Sequence, residues 1–167
     1  MNFLWKAKWI VLLVILTVAT LSVLISAMEK RSSILCPPGT EIRGHAPPMG
    51  LEQWCVTKDK YNIYVKYGPY VRSHNNGQKR CEGIYRNESR NGLRTCWYRN
   101  GKKLSEGYVK NEQKEGLWVR WYNNGQKLNE GKFKNGIPEG LWLSWQKNGQ
   151  KENGIEYRNG HPYLISQ

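Results

Sequence analysis

The chain has 167 residues, a mass of 19.5 kDa and a formal charge of +13, from 26 Lys plus Arg against 13 Asp plus Glu, which allows one domain of ordinary size or a small domain with an appendage. Apolar residues make up 39% and mean hydropathy is −0.72, although the first 28 residues are almost wholly apolar, so the remainder is more polar still and a large two-sided core is disfavoured. Eight Trp and ten Tyr argue against disorder, and seventeen Gly suit short strands and tight turns better than helices.

The first predicted element is a membrane helix. Trp9 to Met28 is a run of 20 residues without a charge, enough at about 1.5 Å per residue to span a bilayer of about 30 Å. Lys6 and Lys8 precede it, Glu29, Lys30 and Arg31 follow it, and Trp5 and Trp9 stand where interfacial aromatics would. A cleaved secretory signal is the alternative, since Ile25, Ser26 and Ala27 offer a small-residue site. Lys30, Arg31 and Arg43 on the far side match Lys6, Lys8 and the terminal amine, which leaves the orientation open.

Residues 1–31 are thus read as anchor or signal, 32–66 as a Pro- and Gly-rich segment closed by a disulfide, and 67–167 as the main domain. The four cysteines, Cys36, Cys55, Cys81 and Cys96, all follow the apolar run, with no CxxC pair and no histidine at zinc-finger spacing. Two disulfides, Cys36 to Cys55 and Cys81 to Cys96, are the simplest use and place the body of the protein outside the cytoplasm; four reduced thiols are the alternative. Cys36 and Cys55 bracket Pro37, Pro38, Pro47 and Pro48, a stretch with little regular structure of its own, where a closing bond is worth about 3 kcal/mol.

From there the sequence repeats. Asn76 and Gly77, Asn100 and Gly101, Asn124 and Gly125, and Asn148 and Gly149 recur every 24 residues. Gly68, Gly92, Gly116 and Gly140 keep the step, as do Lys79, Lys103, Lys127 and Lys151, then Trp97, Trp121 and Trp145, and then Glu82, Glu106 and Glu130. A fixed period in this range marks a tandem array of one supersecondary unit. In the copy from Gly116 to Glu139, LWVRWY is a strand, Asn124 and Gly125 suit a type I′ turn, and KLNEGKFK is the returning strand. The expectation is an all-β fold: a single-layer antiparallel meander of about four β-hairpins, preceded by one transmembrane helix. With that turn, Tyr122 faces Lys127, Trp121 faces Leu128 and Trp118 faces Gly131, so that a ring covers bare backbone. Alternation puts Leu117, Val119 and Trp121 on one face and Trp118, Arg120 and Tyr122 on the other. A connection centred on Glu88 and Ser89 sets Cys81 opposite Cys96.

The unit GxWxxWYxNGQKxxEGxYxNG, over about residues 66 to 160, resembles the MORN-variant repeat, whose bacterial members are often labelled antitoxin-like proteins of the YwqK type. The resemblance implies stacked β-hairpins and a non-enzymatic binding or scaffolding role, without naming a ligand. Tyr70 and Ser73 replace Trp in the first unit and Arg94 replaces the first Trp of the second, as terminal repeats often degrade.

Catalytic chemistry finds few candidates. His45, His74 and His161 have no metal-ligand spacing, Asp59 is the only aspartate, and no nucleophile elbow, phosphate loop or dinucleotide fingerprint occurs. Glu82, Glu106 and Glu130 form a column, but two strands apart is about 9–10 Å, too far for a nucleophilic pair. No enzyme, cofactor or metal is expected. Binding features are clearer. Residues 29–167 hold 24 Lys plus Arg, all but Lys6 and Lys8, against 13 acids, a net of +11. Two cationic columns, Lys79, Lys103, Lys127 and Lys151 beside the turns and Arg86, Lys110, Lys134 and Arg158 beside the connections, suit phospholipid headgroups, envelope polysaccharide or nucleic acid, or simply keep a flat sheet soluble. Nucleic acid is unlikely for a domain outside the cytoplasm. Trp118, Trp142, Tyr98 and Tyr122 form an aromatic candidate face for sugars or choline-like groups, with packing on glycine as the plainer account. Together these four aromatics and Lys79, Lys103, Lys127 and Lys151 form the candidate binding face. The expected function is a membrane-anchored, non-enzymatic platform in the cell envelope that binds a protein or an anionic surface. An antitoxin or immunity-like neutraliser, or a glycan-binding module, is the alternative.

Overall fold

A computed structural model describes residues 34–164. The apolar run from Trp9 to Met28, and with it the expected membrane helix, lies outside the described residues. From Ile34 onward the chain forms one compact unit. It contains β1 (Glu41–His45), β2 (Glu52–Lys58), β3 (Tyr64–Ser73), β4 (Lys79–Arg86), β5 (Ser89–Arg90), β6 (Gly92–Trp97), β7 (Lys103–Lys110), β8 (Gln113–Trp121), β9 (Lys127–Lys134), β10 (Ile137–Ser144), β11 (Ile155–Arg158) and β12 (His161–Leu164). All belong to one open antiparallel sheet in which neighbours in sequence are neighbours in space, with β5 pairing to β4. No helix occurs among the described residues. The segment between Cys36 and Cys55 holds more regular structure than its prolines suggest, because β1 and β2 pair with each other and β2 pairs with β3.

The turn chemistry differs from the expectation. The two-residue type I′ turns are at the connections, where both central residues have positive φ: Asn87 and Glu88, Asn111 and Glu112, Asn135 and Gly136, and Asn159 and Gly160. At the Asn124–Gly125 tip only Gly125 is left-handed (φ 94°). The Gly125 amide donates to the Tyr122 carbonyl at 2.9 Å and the Tyr122 amide to the Gln126 carbonyl at 2.8 Å. This is a type I turn followed by a left-handed glycine, which restores the twist that a bare type I turn would splay. The extra residue shifts the register, so Trp121 faces Lys127, not Leu128, while Trp118 faces Gly131 as expected.

Cys81 lies opposite Cys96, but by another route. The turn is centred one residue earlier, with Arg86 opposite Ser89, and the irregular stretch between β5 and β6 restores the offset. Both expected disulfides are present, Cys36–Cys55 and Cys81–Cys96, and no described cysteine is free. Two such bonds imply an oxidising environment.

Alternation along paired strands defines two faces. The first carries Tyr70, Cys81, Tyr85, Cys96, Val109 and Trp118, all buried. Glycines make this face possible. A Cβ at Gly107 would lie 2.3 Å from the Trp118 ring, one at Gly131 2.2 Å from the Trp142 ring, and one at Gly83 2.8 Å from the Tyr70 ring. Trp118 therefore rests over Gly107 on the preceding strand more closely than over Gly131, and its indole N–H donates to the Tyr108 carbonyl at 2.9 Å. Edge-on contacts continue the row through Trp118, Phe133, Trp142 and Tyr157, with centroids 6.3, 5.0 and 5.7 Å apart.

Candidate interaction surfaces

At the hairpin tips the recurring polar residues bind the next hairpin. Asn76, Asn100 and Asn124 donate through Nδ2 to the carbonyls of Arg99, Asn123 and Lys147, at 3.2, 2.9 and 2.9 Å. Their Oδ1 atoms meanwhile accept the amides of Gln78, Lys102 and Gln126. Tyr98 and Tyr122 act in the same way: their hydroxyls donate to the carbonyls of Trp121 and Trp145 at 2.8 and 3.0 Å. His74 holds the corresponding place, with Nε2 3.0 Å from the Trp97 carbonyl. At the connections, the amides of Glu88, Glu112 and Gly136 donate to the carbonyls of Lys66, Arg90 and Lys114. The carboxylates of Glu88 and Glu112 accept the amides of Lys66 and Arg90. Between β3 and β10 the hairpins are thus tied to their neighbours at both the tips and the connections.

The lysine column beside the tips is engaged as well. Lys79, Lys103 and Lys127 pair with Glu82, Glu106 and Glu130 at 2.6, 2.7 and 2.8 Å. Each also lies over a tryptophan of the facing strand, Trp97, Trp121 or Trp145, 4.8–5.6 Å from the ring centroid. The Lys103 ammonium holds the Glu106 carboxyl below its ordinary value, and the Thr95 hydroxyl assists it against partial burial. These half-exposed pairs contribute little stability singly, about 0–1 kcal/mol, but they fill one row of the sheet with compensated charge. Lys151 is exposed and bridges to Trp145 through the backbone.

The structure does not bring the candidate residues onto one surface. Trp118 and Trp142 lie on the first face, Trp118 being only 4% exposed, whereas Lys79, Lys103 and Lys127 reach glutamates on the second face, since Glu130 pairs with Val119 beside Trp118. Tyr98 and Tyr122 sit at the tip edge between them. On the first face a further cation appears, Lys114, 4.7 Å from the Trp118 centroid and 4.6 Å from that of Phe133. Burial lowers the affinity of its amine for a proton, and Arg120 and Arg94 add to the effect. Burial likewise raises the Tyr70 and Tyr85 phenols.

The second face presents a surface that the sequence reading did not single out. Leu93, Leu117 and Leu141 recur every 24 residues and are 54, 56 and 52% exposed. Leu93 pairs with Tyr108, itself exposed, and Ile84 is exposed on the same face. Outside this row, beside the connections, stand the exposed cations Arg86, Lys110 and Lys134. The Gly-Leu dipeptides at Gly92, Gly116 and Gly140 carry the signal in the sequence. Alternation could assign Leu117 a face, but not show that nothing covers it.

Among the described residues no three His, Cys, Asp or Glu side chains converge as a metal ion would need. No protein-family model matches the chain, and no curated protein matches it.

Proposed function

We propose that the chain is a membrane-anchored, non-enzymatic protein built of tandem 24-residue β-hairpin units, of the kind the MORN-variant resemblance implies, and that it serves as a binding platform in the cell envelope for a protein or an anionic surface. The observation that carries this reading is the row of Leu93, Leu117 and Leu141, solvent-exposed on one face of the sheet and edged by Arg86, Lys110 and Lys134. Leu93 and Leu117, with the exposed Tyr108 on the strand between them, form an apolar surface of the sort that marks an interaction site, and Lys132 faces Leu117 on its other side. The other recurring side chains support a non-catalytic role, because the column carboxylates hold lysines and the tyrosine hydroxyls hold backbone carbonyls. The disulfides and the uncharged run from Trp9 to Met28 support placement outside the cytoplasm on a membrane anchor.

The test is a triple variant, Leu93→Ser, Leu117→Ser and Leu141→Ser, examined with a membrane-impermeant lysine cross-linker on intact cells. Exposed leucines contribute little to folding, so the unfolding free energy changes by about 0.5 kcal/mol per site or less, while the cross-linked species formed by the parent chain are lost. Identical cross-linking of the triple variant and the parent overturns the reading.

A further inference from the structure

The loop between β2 and β3 is a second exposed surface, with a composition unlike the rest of the sheet. Tyr61, Ile63 and Tyr64 are 69, 60 and 44% exposed, and Lys58 and Lys60 beside them are exposed as well. The cations lie against the rings: Lys60 is 4.8 Å from the Tyr61 centroid, and Lys58 and Arg43 are 5.2 and 4.5 Å from that of Tyr64. A folded device holds the tip in shape. Asp59 Oδ1 accepts the amides of Tyr61 and Ile63, both at 2.9 Å, and the Asp59 amide donates to the Ile63 carbonyl at 2.9 Å. The Asp59 carboxylate thus faces the loop's own backbone. Of the three cations, Arg43 pairs with Glu41 at 3.0 Å; Lys58 and Lys60 form no ion pair among the described residues.

Tyrosines whose rings are apolar and whose hydroxyls are polar, set among lysines that lie over the rings without an ion-pair partner among the described residues, match the chemistry of a bilayer interface. The covalent chain keeps the loop within reach of one: Cys36, two residues after Ile34, is bonded to Cys55 in β2, and the loop begins four residues after Cys55, at Asp59. Five residues, 29–33, separate the uncharged run from Ile34, and at about 3.3–3.6 Å per residue an anchor there holds Ile34 within about 20 Å of the headgroups. We propose that the β2–β3 loop docks on the anionic phospholipid surface of the membrane that anchors the chain, with Tyr61 and Ile63 entering the headgroup layer and Lys58 and Lys60 on lipid phosphates. This rests on the anchored reading above and adds the contact by which the sheet meets the bilayer.

The experiment is hydrogen–deuterium exchange on the full chain in nanodiscs of phosphatidylcholine alone and with one-third phosphatidylglycerol. The expected result is slower exchange of the amides from Lys60 to Tyr64 in the anionic discs only, with the Asn124 tip unchanged as the internal reference. Each lysine near an anionic surface is worth about fivefold in occupancy, so Lys58→Gln with Lys60→Gln removes most of the protection, as does 0.5 M salt (about 4 Å of screening length). Both lysines are exposed and the double variant retains the sheet, which the unchanged Asn124 tip reports. Equal exchange in both discs, protection that survives the double variant, or protection by an added soluble protein in place of lipid overturns the proposal. A chain that does not co-elute with either disc overturns the anchored reading itself, and the loop contact with it, a failure distinct from co-elution without protection.

Discussion

Gly107→Ala and Gly131→Ala are each expected to destabilise the sheet by about 1–3 kcal/mol, the range found when a methyl is forced into a packed site. Neither glycine has a positive φ, so alanine fits the backbone and the cost is steric. The new Cβ meets the Trp118 ring at 2.3 Å in one case and the Trp142 ring at 2.2 Å in the other. At Gly107 the displaced indole also gives up its bond to the Tyr108 carbonyl. The attribution is checked by a double-mutant cycle in urea. On a Trp118→Leu background the Gly107→Ala change becomes nearly neutral, and the difference is the coupling between ring and glycine. Gly116→Ala separates this effect from backbone strain. Nothing lies within 4 Å of its Cβ, but its φ is +67°, so it costs about 1 kcal/mol through conformation alone, and Asn, which tolerates that conformation, recovers much of it. Additive effects of Gly107→Ala and Trp118→Leu would contradict the packing described here.

The second large effect is expected at Cys81 and Cys96. Replacing both with alanine removes a bond spanning 15 residues, which the loop-entropy model puts at about 3 kcal/mol, a large part of an ordinary domain's total of about 5–15 kcal/mol. The position makes the loss global. β4 pairs with β6 through Cys81 with Cys96 and Glu82 with Thr95, beside the irregular stretch that separates β5 from β6, so the staple crosses the sheet where its ladder is interrupted. Cys36–Cys55 spans 19 residues, a similar loop, yet it ties down residues 34–40, which belong to no strand. Its removal is expected to release that segment first and to leave the cooperative unfolding of the later hairpins in place. Chemical denaturation followed by tryptophan fluorescence reads both variants. A Cys81/Cys96 variant within about 0.5 kcal/mol of the parent would show that the ladder alone sets the stability of this junction.

Much of the sheet was legible because 24-residue spacing and alternation act on every strand at once, and the antiparallel order of the hairpins follows from them; the pairings of Trp118 with Gly131 and of Cys81 with Cys96 followed from assumed turn centres and hold because later irregularities restore the offset. Turn type was not legible for a physical reason. Asn-Gly occurs both at the tip, Asn124 and Gly125, and at the connection, Asn135 and Gly136, and only the latter is type I′. At two other connections the left-handed second position is filled by Glu88 and Glu112, residues that no turn rule favours there. Their side chains accept an amide of the neighbouring hairpin, a contact beyond the reach of local sequence. The cysteine pairing emerged despite a misplaced turn centre because turn and irregular strand offset each other. The lysine column shows the same limit. Its period was plain, but the glutamates and tryptophans that hold Lys79, Lys103 and Lys127 emerge only once the register fixes which rows meet. The exposed leucines and the loop from Lys58 to Tyr64 were missed because exposure depends on what covers a face, and periodicity carries no information on that.

The most direct measurement is peptide mapping of the protein taken from its native cells, with free thiols trapped before lysis and no reductant added. The account predicts linked peptides joining Cys36 to Cys55 and Cys81 to Cys96, with no trapped thiol. Four alkylated cysteines would contradict the placement outside the cytoplasm, and a link joining Cys36 or Cys55 to Cys81 or Cys96 would contradict the register of the sheet.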